Sequence, residues 1–305
     1  MRKELSIIII NFNTADLLKA CLASLFKAIR NAKFERIVEI IVVDNASTDT
    51  SRTILSQFSS RISAIYNKSN IGFAAANNQG IRASSGDFLL LLNSDTKVEK
   101  DTLVNLLKVI RADRSIGVVG PKLLNSDNTV QPSVGFFPTL TKVFFWMSFL
   151  DDIPLIQNLL RPYHINARLF YNQRQFVDWV SGACLLVQKE AIEVAGLLDE
   201  RIFMYAEEVE WCYRIKKKHY QVLYTPEVNV IHHKGASATK ENEAGIIEEF
   251  VGLIYFYRKH MSFWRGLLLR FFLMYGALLR IVVFGIIGCQ PRKIRLYAKA
   301  LGMVG

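Results

Sequence analysis

Cysteine is scarce and scattered: Cys21, Cys184, Cys212 and Cys289 are all there are, and no two form a Cys-x-x-Cys pair. That spacing suggests neither a disulfide framework nor a zinc knuckle and fits a reducing compartment. No Gly-x-Gly-x-x-Gly and no Gly-x-x-x-x-Gly-Lys-Ser/Thr occurs, so a dinucleotide fingerprint and a P-loop are both missing. Internal repeats and low-complexity tracts are absent too. No acidic residue follows Glu249, whereas nine Lys or Arg do, so this last segment carries +9 of the net +11 charge. The rest is near neutral without a basic stripe, which argues against a nucleic-acid partner and for a local anionic one. The apolar run over residues 5–10 is too short for a secretory signal, and the expectation is a chain that folds in the cytoplasm.

What is present is 51% hydrophobic content over 305 residues, enough for one large α/β core and a smaller appendage. Strand-length apolar runs at 5–10, 38–43, 62–66, 88–92 and 116–119 alternate with helical-period segments at 15–30, 48–58, 74–83 and 101–111. This alternation predicts a mostly parallel sheet covered by helices on both faces. From about 122 to 176 the regularity fades into aromatic, Pro-punctuated sequence that reads as a variable insertion. Order returns with a strand at 182–188, helices at 189–195 and 207–217, and strands at 220–224 and 228–231. Residues 1–240 form the expected main domain and 241–305 a basic, apolar helical extension.

Ligands of open α/β sheets gather beyond the carboxyl ends of the strands. Four strands end there in polar sequence: Asn11-Phe12-Asn13, Asp44-Asn45-Ala46-Ser47-Thr48-Asp49, Asn70-Ile71-Gly72-Phe73 and Asn93-Ser94-Asp95. Asp44 closes a fully apolar strand, where it can accept from a ribose hydroxyl or a pyrimidine imide; the alternative is a turn residue, and for Ser47 and Asp49 a helix cap. Asp95 can hold Mg²⁺ or Mn²⁺ against a diphosphate, since oxygen ligands suit both ions. Glu207, Glu208 and Glu210 crowd the first turns of a helix. They either complement its dipole or include a general base of raised pKa. Of His232 and His233 at the last strand's end, one is a candidate metal ligand.

Taken in order, these segments resemble the inverting family 2 glycosyltransferases of the GT-A fold, and within them the bacterial rhamnosyltransferase-like group. The resemblance runs from Leu5 to Ser237 and is carried by residues 43–49, by Asn70-Ile71-Gly72-Phe73-Ala74 with Asn77 and Gly80, by Leu92-Asn93-Ser94-Asp95, and by Ser181-Gly182-Ala183-Cys184 leading to Gly196-Leu197-Leu198-Asp199-Glu200. It implies a nucleoside-diphosphate sugar donor cradled by Asn11, Phe12, Asp44, Gly72, Asn77, Asn93 and Asp95, with Phe12 against the base. A cation lies on Asp95 and His232, and Glu208 deprotonates the acceptor. Asp178 and Trp179 fall in the acceptor-side segment; a core Trp is the alternative. Asn93 stands where the commonest D-x-D form has its first carboxylate, and Glu208 where Asp is usual. An inactive carbohydrate-binding subunit and a sugar nucleotidyltransferase are the rival readings, although the latter expects a Gly-rich, basic loop where Asn11-Phe12-Asn13-Thr14 stands.

Residues 263–289 are strongly apolar but broken by Arg265, Arg270 and Arg280. On one helix Arg258, Arg265 and Arg280 share an arc, which predicts an interfacial helix on an anionic membrane surface rather than a span, with Arg292, Lys293, Arg295 and Lys299 at the headgroups. A buried helical pair is the alternative. A lipid-linked glycan acceptor on the cytoplasmic side of the inner membrane makes such placement useful.

Overall fold

The computed structural model of the protein describes residues 3–153, 161–233 and 241–304. Residues 234–237, the end of the His-bearing segment, lie outside the described residues.

The first half alternates as expected: β1 (Leu5–Asn11), α1 (Ala15–Ala32), β2 (Val38–Asp44), α2 (Ser51–Gln57), β3 (Ser63–Tyr66), α3 (Phe73–Ala83) and β4 (Phe88–Asn93). β1 pairs in parallel with β2 and β4, and β2 with β3, so four polar strand ends share one edge. Side chains of β1 alternate between two cores. Ile7 and Ile9 pack with Leu18, Leu22 and Leu25 of α1, while Ile8 and Ile10 face Ala74 and Ala76 of α3.

Next come β5 (Thr96–Val98), α4 (Thr102–Arg111), β6 (Ile116–Leu124), β7 (Val130–Gln131), β8 (Val134–Gly135) and α5 (Leu140–Met147). After them lie β9 (Gln175–Val177), β10 (Trp179–Val180), β11 (Cys184–Gln188), α6 (Lys189–Ala195), α7 (Glu207–Lys217) and β12 (Gln221–His232). The main sheet runs β3-β2-β1-β4-β11-β6-β12-β5, with β11 antiparallel to both its neighbours. The two strands expected at 220–224 and 228–231 are one. β12 stays on β6 across a register shift between Thr225 and Asn229, where Pro226 has no N–H to give the ladder.

The chain ends in α8 (Glu241–His260), α9 (Phe263–Arg280), a π-helical continuation over Ile281–Ile287, and α10 (Pro291–Val304). Phe250, Leu253 and Phe256 of α8, Leu269 and Leu273 of α9, and Tyr297 of α10 join the core that contains Ile8 and Trp211. The extension is therefore packed on the main unit. Arg280 departs from the expected arc: it is 6% exposed and donates to the carbonyls of Met147 and Trp146, both at 2.7 Å. A guanidinium there is held by carbonyls at the end of α5, so it cannot serve lipid headgroups.

Candidate active site

The ends of β1, β2 and β4 are tied by a chain of polar side chains. Asn11 donates from Nδ2 to Asp44 Oδ1 (3.1 Å) and Ser47 Oγ (3.0 Å), and accepts from Thr14 Oγ1 at 2.7 Å; Thr14 in turn meets Ser94 Oγ at 2.7 Å. Asp49 accepts the amides of Ala15 and Ser51, so one carboxylate caps α1 and α2 together. Asp44 is fully buried, and its Oδ2 takes Arg52 Nε at 3.1 Å. The Arg52 side chain is itself about half exposed, so a nucleotide reaching Asp44 must displace it. Phe12 is half-buried on the adjoining turn.

At the end of β3, Asn45 donates to Asn70 Oδ1 (2.7 Å) and the Gly72 carbonyl (3.3 Å). Gly72 has φ +87°, and a Cβ there would lie 2.7 Å from Phe203 Cδ2 and 2.8 Å from the Phe203 carbonyl oxygen. Only glycine suits both constraints. Asn77 donates back along α3 to the Phe73 carbonyl at 2.9 Å, leaving its buried Oδ1 without a partner.

Asp95 and His232 meet where β5 pairs with β12: Oδ1 and Nε2 are 3.2 Å apart. Gln131 Oε1 lies 2.7 Å from His232 Nδ1 and is an acceptor, so Nδ1 carries the proton and Nε2 turns its lone pair inward. The buried Asn93 Oδ1 has no partner, while its Nδ2 lies 3.5 Å from the same Nε2. The Asp95 carboxylate and the His232 imidazole thus meet with the Asn93 amide beside them. Oxygen and imidazole donors of this kind fit Mg²⁺ or Mn²⁺. Among the described residues no three His, Cys, Asp or Glu group as a metal site. His233 turns away, its Nδ1 2.8 Å from Ser126 Oγ.

Glu208 opens α7 beyond a tight turn in which Tyr205 (φ 64°) and Ala206 (φ 65°) are both left-handed. The Asn93 amide donates to the Ala183 carbonyl at 3.0 Å, and the neighbouring Gly182 faces Phe73 and Glu207. The strand end bearing Asn93 and the helix start bearing Glu208 are therefore linked through Gly182 and Ala183, the Gly182 amide donating to Glu208. Burial, helped by Glu249, pushes the Glu208 carboxyl up to about 7 against the opposing pull of its own amide, the Gly182 amide and His164. Burial and the adjacent Glu208 drive Glu207 well above the usual carboxylate range. Neither Glu207 Oε2 nor Glu208 Oε2 has a hydrogen-bond partner.

The glycosyl transferase family 2 model matches residues 6–171, over half of the chain. The chain belongs to that family. This glycosyltransferase is 27% identical over 278 residues to an N-acetylglucosaminyl-diphospho-decaprenol L-rhamnosyltransferase of Mycobacterium tuberculosis, covering 87% of this chain and 88% of the relative. It is 27% identical over 245 residues to the low-salt glycan biosynthesis hexosyltransferase Agl10 of Haloferax volcanii, covering 79% and 70%. Among solved structures it resembles residues 1–349 of Staphylococcus aureus TarS (TM-score 0.59, 14% identity, 99% of this chain and 80% of that one). It also resembles the mannosyltransferase PcManGT of Pyrobaculum calidifontis in complex with GDP-Man and Mn²⁺ (TM-score 0.58, 15% identity, 100% and 85%). The fold is the GT-A type.

Within the glycosyltransferase, Asp178 and Trp179 of the expected acceptor-side segment both have close neighbours in the chain. Asp178 binds Lys216 at 2.5 Å and the Phe137 amide at 2.8 Å. Trp179 is 6% exposed, packed on Gly135, Tyr163 and His164, with its indole N–H unpartnered. Sequence reading missed Thr14, Arg52, Gln131, His164 and Glu249. None belongs to a motif, and each acquires meaning only from a neighbour distant in the chain.

Proposed function

We propose that the protein moves a hexosyl unit, rhamnose first among candidates, from a nucleoside diphosphate to an acceptor sugar hydroxyl with inversion, building a surface polysaccharide on a lipid-linked acceptor. The carrying observation is a chain of contacts: the Asn93 amide donates to the Ala183 carbonyl, and the amide of the adjoining Gly182 donates to the Glu208 carboxyl. One end of this chain of contacts offers ligands for a diphosphate-bound cation, the other a base. Glu208, with a carboxyl near 7, accepts the acceptor's proton as the hydroxyl oxygen attacks the anomeric carbon. Phe12, Asn11 and Asp44 hold the base and ribose, and the Gly72 turn admits the donor close to the backbone. Asp95, His232 and Asn93 would hold Mg²⁺ or Mn²⁺, which when bound stabilises negative charge on the departing diphosphate.

The mycobacterial relative is named for a prenyl-diphosphate acceptor, and the outer face of α9 suits such a partner. Segment 263–287 is long and apolar enough, by length and composition, to cross a bilayer, and 28% of its apolar window is buried against the rest of the protein. Phe263, Trp264, Phe271, Leu278 and Ile286 remain exposed along one side. With Arg292, Lys293, Arg295 and Lys299 nearby in sequence, that face would rest on an anionic membrane, at its cytoplasmic side. A panel of nucleotide sugars with Mg²⁺ or Mn²⁺, scored by release of nucleoside diphosphate, tests the transfer. No release from any donor, or wild-type turnover by Glu208→Gln, sinks it.

A further inference from the structure

The side of Glu208 away from the donor edge is closed by the insertion and by α8. His164 Nε2 lies 2.6 Å from Glu249 Oε1 on α8, and the Tyr163 hydroxyl shares that carboxylate. The imidazole is wedged among Tyr163, Trp146 and Trp179, with ring centroids 4.1, 5.3 and 5.5 Å away. Its orientation is therefore fixed by packing. The pair is nevertheless open to solvent in part, with side-chain exposures of 30% for His164 and 19% for Glu249. Close by are three unpartnered buried polar atoms: Glu207 Oε2, Glu208 Oε2 and Trp179 Nε1. Acceptors and a donor left without partners in one partly open, aromatic-backed recess match a polyhydroxylated ligand, which brings both kinds of group.

We propose that His164 and Glu249 form a polar clamp for the acceptor sugar, gripping hydroxyls next to the one that Glu208 deprotonates. The clamp rests on the glycosyl-transfer reading of the site and assigns its acceptor half. Glu249 comes from the helix that leads directly into α9, so the acceptor subsite is completed by the same element that carries the exposed apolar face. The charged and titratable groups around Glu208 are Glu207 and Cys212 on its own helix, Tyr163 and His164 on the insertion, and Glu249 on α8. Asp151 faces His164, and Tyr297 of α10 faces Glu249. Because Glu249 raises the Glu208 pKa and His164 lowers it, removing either charge moves the acidic limb of the rate profile in opposite directions.

The test uses the full-length chain, the donor selected by the nucleotide-sugar panel, and a set of methyl glycosides beside an N-acetylglucosaminyl diphospho-prenol as acceptors. Glu249→Gln and His164→Gln should each raise the KM of the best acceptor about tenfold or more, the scale of one hydrogen bond to a charged group. Nucleoside diphosphate affinity and melting temperature serve as controls for folding and should stay put. The acidic limb should shift down for Glu249→Gln and up for His164→Gln. Unmoved acceptor KM and pH profiles in folded variants overturn the clamp and leave the transferase reading standing. A wild-type protein inert towards every donor removes both.

Discussion

His232 Nε2 stands 3.2 Å from Asp95 Oδ1 while Gln131 Oε1 holds the opposite ring nitrogen at 2.7 Å. With Nδ1 held by Gln131, Nε2 is left facing the carboxylate, an arrangement that a cation between them would stabilise. Gln131 is itself oriented, because its Nε2 donates to Asn125 Oδ1 at 2.8 Å. Gln131→Leu should therefore weaken divalent-ion binding by about tenfold to a hundredfold, the usual effect of removing a partner that orients a ligating imidazole. His232→Ala should weaken it more. Titration of Mn²⁺ by electron paramagnetic resonance with nucleoside diphosphate present reads this without turnover, and unchanged affinity in both variants would remove His232 from the metal proposal.

The Glu207 and Glu208 carboxyls give pH dependence with a definite sign. Transfer needs Glu208 ionised, so the rate should fall about tenfold per unit below a pH near 7 and level off above it. Stability runs the other way. The Glu208 pKa is raised from 4.5 in a free side chain to about 7 in the fold, so the folded chain binds more protons between those limits. Its stabilising contribution is complete below 4.5 and is lost as pH rises through about 7. Glu208→Gln should accordingly be inactive yet melt at a higher temperature than wild type at pH 8, by on the order of 2 kcal/mol, with the difference vanishing near pH 5. A melting difference that is constant with pH would show that Glu208 is not buried as a carboxyl.

The sheet was legible in the sequence because its strands are apolar runs of the right length between segments of helical period. Boundaries at 189–195 and 207–217 coincide with α6 and α7. The insertion was not legible, since β7, β8 and β9 pair with β6, β10 and β12, and no local period encodes such partners. Asp95, His232 and Glu208 could be named from motifs, whereas Gln131, His164 and Glu249 could not. Arg280 shows the same limit: helical phase placed it outward with Arg258, but the carbonyls of Met147 and Trp146 at the end of α5 hold it inside.

Gly72 and Phe203 couple the proposed donor turn to the proposed base, Glu208. The Phe73 amide donates to the Phe203 carbonyl at 2.7 Å, two residues before the left-handed turn that presents Glu208. Gly72→Ala places a methyl group against Phe203 and strains a residue at φ +87°. The expected result is a loss of about a hundredfold in kcat, as for displacement of a catalytic group by roughly 1 Å. Steady-state kinetics on the folded variant checks it, and wild-type kcat would show that the turn and the base are independent.

Membrane contact is best tested on the surface of α9, because truncation after 252 removes Leu253 and Phe256 from the core and unfolds what it should probe. Trp264 is 76% exposed and Phe271 63%, so charges at these positions leave the packing of α9 intact. Burying each aromatic in a bilayer interface contributes about 1.5 to 3 kcal/mol, and each nearby Lys or Arg about 1 kcal/mol on an anionic surface. Trp264→Glu with Phe271→Glu should then lower partitioning onto vesicles of mixed phosphatidylglycerol and phosphatidylcholine by at least about a hundredfold. Binding of the wild type should also weaken as salt rises, since screening shortens the reach of the basic cluster. Equal sedimentation of wild type and double variant with these vesicles would mean that the exposed stripe serves a partner other than lipid.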